Sequence, residues 1–136
     1  MQKATNKVVE LKPKDDRELW EIEWDRCKDL IQKATDRQDF YTIDDIEAKI
    51  RDGIAFLWPG KESAIVTEFV FFPKKKVLHI LCIAGKYKEV EEIYMCIEEY
   101  AKKLGINKIT GSGRKGWLRK VKHLGFKQEN LISKEL

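Results

Sequence analysis

Val77-Leu78-His79-Ile80-Leu81-Cys82-Ile83-Ala84 is a nearly unbroken apolar run, and no other segment constrains the fold as tightly. A strand of that composition is buried on both faces and belongs in the middle of a sheet. Gly85-Lys86-Tyr87-Lys88 leads from it into a long helix. The apolar positions of that helix, Val90, Ile93, Tyr94, Ile97, Ala101 and Leu104, step by three and four. Gly105 is a natural stop for it, and 106–110 follows at once as a short strand. So short a return predicts a right-handed crossover, which places 106–110 parallel to 77–84 and beside it.

Upstream, 1–14 shows no period and reads as an extension, and Pro13 sets off the first helix. Asp15 with Glu18 forms a capping pair for that helix. Trp20, Trp24, Cys27, Ile31 and Ala34 give it an apolar stripe over about 18 residues. Two tryptophans on one stripe read as core before they read as a ligand platform. Thr42-Ile43-Asp44-Asp45 carries a second capping signature, and Ile43, Ile46 and Ile50 face inward on a short helix that Gly53 ends. The runs 54–58 and 63–72, split by Pro59-Gly60, are rich in β-branched and aromatic residues and predict a hairpin. With no linkers or repeats, 15–136 is a single domain.

A chain of 136 residues with 43% apolar and 37% charged residues is long enough to bury a core and is not a disordered chain. No apolar run approaches the ~20 residues of a membrane span, and 1–7 lacks the apolar stretch of a signal peptide, which predicts an intracellular protein with no membrane partner. Cys27, Cys82 and Cys96 are odd in number and without C-x₂-C spacing, and there are two histidines. The expectation is buried free thiols, no disulfide framework and no metal. The net charge of +4 is uneven: residues 100–136 hold ten Lys/Arg against two Glu, leaving seventeen basic and twenty-one acidic residues in 1–99. A basic end on an acidic body suggests an anionic ligand near the C-terminal third.

That third contains Gly111-Ser112-Gly113-Arg114-Lys115-Gly116, a G-x-G-x-x-G between a strand and a helix. Too little chain follows for a dinucleotide-binding half, and the Gly-Lys-Ser/Thr ending of a P-loop is missing. What remains is a glycine turn whose backbone N–H groups, with Arg114 and Lys115, could hold an anion, or glycines that merely let the chain reverse. In the helix 114–124, Trp117, Val121 and Leu124 face one way. Lys115, Arg119 and Lys122 face the other, as a basic stripe able to meet phosphates or as a solvated face.

The order helix, helix, hairpin, apolar strand, long helix, strand, helix and a strand after Gly125-Phe126 resembles the GCN5-related N-acetyltransferase (GNAT) fold over 15–136. Trp117-x₆-Leu124-Gly125-Phe126 is similar to that family's terminal pattern. Gly113-Arg114-x-Gly116-Trp117 is similar to small GNAT-like proteins of tailed bacteriophages, some of them virion components. The resemblance implies an α/β (α+β) fold, a mixed twisted sheet flanked by about four helices. It also implies an acetyl-CoA cofactor whose pantetheine enters a splay between 77–84 and 106–110. A Q/R-x-x-G-x-G/A loop would hold the pyrophosphate, and Ala84-Gly85-Lys86-Tyr87-Lys88-Glu89 matches it with one glycine, leaving Ile83, Gly85, Lys86 and Lys88 as the cofactor-binding candidates. Glu68 and His79 are the candidates for a catalytic base, and the helix 114–124 lacks the family's tyrosine acid.

Three readings follow, in this order. The first is a non-catalytic binding or structural module, as in a phage particle, that meets a protein partner through Arg114, Trp117 and Arg119. The second is a CoA-dependent N-acetyltransferase acting on an amine of a small molecule or protein. The third is a nucleic-acid-binding protein using the basic helix.

Overall fold

The apolar run 77–84 lies within β3 (Lys76–Gly85), with β2 (Ser63–Phe71) antiparallel on one side and β4 (Lys108–Gly111) parallel on the other. The structure, a computed structural model, describes residues 18–112 and 115–136. Ahead of the sheet core come α1 (Leu19–Thr35), α2 (Ile43–Arg51) and β1 (Ala55–Pro59); α3 (Tyr87–Lys103) joins β3 to β4, and α4 (Lys115–Val121) follows. The sheet order is β1-β2-β3-β4, so β3 occupies an inner position as its composition requires. Val77, Leu78, Ile80, Cys82 and Ala84 are all buried.

Helices cover both faces. On one, Trp24, Cys27 and Ile31 of α1 and Ile46 and Ile50 of α2 pack onto Ala55, Ala64, Val66 and Cys82. On the other, Val90, Tyr94, Ile97 and Ala101 of α3 meet Ile65, Leu78 and Ile80. The paired tryptophans are core: Trp24 is 2% exposed and its indole N–H donates to Glu47 Oε1 at 2.5 Å, while Trp20 packs half-buried beside it. The α2 start is the expected capping box. Thr42 Oγ1 accepts from the Asp45 N–H at 3.3 Å, and Asp45 Oδ2 accepts from the Thr42 N–H at 2.8 Å.

Four expectations change. Asp15 lies outside the described residues, and Glu18 is itself the N-cap of α1, in extended backbone and with no side-chain hydrogen bond to the helix. Cys27 and Cys82 are buried thiols, but Cys96 is exposed, because it sits off the apolar stripe of α3. The strand foreseen after Gly125-Phe126 is not formed, and 126–136 has no regular structure. Leu124 and Phe126 instead fold over α3, the Phe126 ring 5.2 Å from that of Tyr94, which draws the chain onto the helix layer rather than along the sheet. The helix foreseen over 114–124 is α4 followed by a 3₁₀ turn, Lys122–Leu124.

Candidate functional site

The residues with chemistry lie in cross-strand rows. Glu68, His79 and Thr110 are register partners on β2, β3 and β4, and the next row on the same face is Val70, Val77 and Lys108. His79 Nδ1 lies 2.8 Å from Thr110 Oγ1. Burial pushes the His79 imidazole below its ordinary value, and the nearby Glu68 carboxylate opposes that without reversing it. Glu68 is not spent on His79: it accepts from Lys49 Nζ of α2 at 2.9 Å. The structure thus brings Glu68 and His79 side by side, each held by a third residue.

Just beyond this row the sheet changes. Leu81 is an extra residue on β3, since Val66 pairs with Cys82 while Thr67 pairs with Ile80. The Leu81 carbonyl accepts from the Tyr41 hydroxyl at 2.5 Å. β4 pairs with β3 from Val77 to Ile80, and β3 then runs on to Gly85 beside β2. The pairing through 77–80 is unbroken, so any splay between the two strands begins only past Ile80.

The remaining β3 candidates converge on the start of α3. Gly85 has φ 108°, and a Cβ there would lie 2.3 Å from the Glu62 carbonyl oxygen and 2.4 Å from Ser63 Cα. The glycine is required by the close passage of β2, which occupies that side of the loop. Lys86 caps α3 through its backbone and pairs with Glu62 at 2.8 Å. Lys88 is exposed in the first helical turn. Glu89, in that same turn, reaches back to the β1–β2 hairpin, where its Oε1 accepts from the Ser63 hydroxyl and from the Glu62 N–H at 2.8 Å. Those bonds hold its carboxyl below the usual glutamate range. Ile83 is half-buried against the α3 side of the sheet.

Arg114 lies outside the described residues, as does Gly113 of the glycine turn. Trp117 is half-buried on the α3-side core and its ring centroid is 6.1 Å from that of Tyr87. The Tyr87 hydroxyl donates to the Lys120 carbonyl at 2.6 Å, and Lys120 Nζ sits 5.5 Å from both ring centroids. His123 Nε2 lies 3.3 Å from Glu91 Oε2. Together these contacts tie α4 and its 3₁₀ turn to the first turns of α3. Arg119 and Lys122 are exposed. Among the described residues no group of three or more metal-ligating side chains forms, and no helix is long and apolar enough to cross a membrane.

No family model and no curated protein matches the sequence. Solved structures do match the fold. A probable acetyltransferase aligns with a TM-score of 0.64 at 11% identity, over 84% of this chain and 90% of its own. A Trypanosoma brucei acetyltransferase gives 0.63 at 17% identity, over 88% and 97%. A transcriptional regulator from Bacillus halodurans gives 0.64 at 15% identity, again over 88% and 97%. The chain has a GNAT-like fold, a four-stranded mixed sheet with helices on both faces.

A cofactor pyrophosphate at the start of α3 would need free backbone N–H groups or uncommitted cations at a helix N-terminus. Here the glycine backs onto β2, Lys86 is neutralised by Glu62, and the Glu89 carboxylate already stands at the positive end of the helix dipole. A second anion there meets the Glu89 carboxylate and the exposed Glu62, and the Tyr87 and Trp117 rings lie against each other between α3 and α4. These carboxylates oppose the group. Glu89, Tyr41 and Thr110 escaped the sequence reading because their partners lie 26 to 40 positions away, beyond any local pattern.

Proposed function

We propose that this chain is a GNAT-fold binding module without acetyl transfer, working through contact with a protein partner. The observation that carries this reading is Glu89, an internal carboxylate tied to Ser63 and Glu62 at the helix end where the fold would receive a pyrophosphate. Exposed Arg119 and half-buried Trp117, at the α3–α4 junction, remain the partner-binding candidates on α4, with Arg114 beside them in sequence. The test is incubation of the purified protein with acetyl-CoA and a panel of primary amines, including lysine peptides and polyamines, with released CoA quantified by chromatography. The expected result is release no faster than in buffer. Release that depends on amine and on protein would overturn the reading.

One observation favours an acetyltransferase as the second reading. Burial disfavours the protonated form of His79, one residue before β3 and β4 cease to pair at Ile80 and Gly111, a placement suited to taking a proton from an amine. Amine-dependent release in the same assay, lost in His79→Gln, would establish that alternative.

A further inference from the structure

We propose that the groove beside β4 docks an extended acidic segment of the partner protein, laid along the open edge of that strand. This rests on the reading as a binding module and gives the partner a second contact surface, apart from Trp117 and Arg119 on α4. β4 is the last strand of the sheet. The tail beyond it forms no strand and, among the described residues, makes no backbone hydrogen bond past Gly125. A strand edge left this way offers alternate N–H and C=O groups to an added strand. Helices α1 and α2 pack over β1, β2 and β3, and on the same face a groove of about 540 Å³ opens toward β4.

The lining of the groove selects the chemistry. Val70, Val77, His79 and Thr110 line it from the strands, Phe72 stands exposed at its side, and its rim carries Lys74, Lys75 and Lys108. Lys74 and Lys75 hold no ion pair among the described residues, whereas Lys108 already holds a carboxylate, Glu129 of the tail, at 2.8 Å. Lys108 holds Glu129 below the usual glutamate range, with Lys127 and Lys75 adding to the effect. The rim therefore takes a side-chain carboxylate, and Glu129 is the resident competitor for an incoming one. Lys108 on β4 deters edge-to-edge pairing between copies of this chain, and with Lys74 and Lys75 of the β2–β3 turn it draws an acidic strand. Val70 and Val77 beneath the cations favour peptide over nucleic acid, which would find one exposed aromatic ring there, Phe72, and no stacking platform.

The test is fluorescence anisotropy with the labelled peptide Asp-Glu-Val-Glu-Phe-Glu-Asp at two salt concentrations. Saturable binding is expected, weakened by salt, lost when alternate peptide nitrogens are methylated, and absent for a copy with lysine at every acidic position. Combining Lys75→Glu with Lys108→Glu should weaken binding about tenfold. Glu129→Gln should tighten it about threefold by removing the competitor. Melting curves of each variant check that it folds. Absence of saturable binding even to Glu129→Gln, equal binding of the lysine peptide, or tighter binding of an oligo-dT strand would each overturn the proposal. Acetyl transfer in the amine assay would sink the module reading instead, so the two failures are separable.

Discussion

His79 shows how a single residue is shaped by its row. Desolvation between β2 and β4 lowers its affinity for a proton, while the Glu68 charge, turned toward Lys49, restores only part of it. The folded protein therefore prefers the neutral ring, and the unfolded chain binds the proton more readily. Stability from this residue is whole above the unfolded value of about 6.5, falls as pH drops through it, and levels off below the folded value. NMR titration of the His79 ring should give a midpoint below 6.5; a midpoint at or above that value would contradict its burial. His79 could be picked from sequence as a strand residue with chemistry, but its partner Thr110 could not, because the pairing depends on the register of a crossover.

At the scale of elements, local signals that carry their own hydrogen bonds were legible. Thr42 and Asp45 sit three residues apart and satisfy each other, so the α2 start could be read directly. Thr42→Ala should cost ~1 kcal/mol, measurable as a lower denaturant midpoint. The last strand was misread because the GNAT terminal pattern puts a strand after Gly125-Phe126, whereas here the Phe126 ring lies against Tyr94. The bulge at Leu81 was also invisible, since an extra residue in an apolar run leaves the pattern unchanged. Helix α4 has seven residues and cannot stand on propensity. It stays because Trp117 docks on Tyr87 and the α3-side core. Trp117 is half-buried, so Trp117→Ala should cost about 2 kcal/mol, less than the ~3–5 kcal/mol of a fully buried tryptophan. A cost at or above the upper value in urea unfolding would mean a deeper seat.

Across the whole molecule, the charge asymmetry of the chain is sorted into two opposite ends of β3. Near Gly85, Glu62 and Glu89 gather at the start of α3, with Lys86 bound to the former. Near Lys76, the lysines 74, 75 and 108 surround the groove. The sequence suggested an anionic ligand near the C-terminal third, and Lys108 of that third lines the groove. The contribution of Lys74 and Lys75 comes from the β2–β3 turn and needs the fold to bring it there. Because Glu89 has a lowered folded value, the stability it lends is present above the unfolded glutamate range and is lost as pH falls through the folded one. Melting temperatures measured below about pH 4.5 should fall less steeply in Glu89→Gln than in the wild type.

We propose that the chain's own carboxylates and aromatic rings keep a cofactor from the start of α3. The most direct measurement is thermal unfolding with and without millimolar acetyl-CoA. The account predicts the same midpoint in both, within about a degree. A ligand present at 100 times its Kd would stabilise by ~2.7 kcal/mol, raising the midpoint by several degrees. A rise of that size would show that the pyrophosphate is accommodated despite Glu89 and would contradict the account.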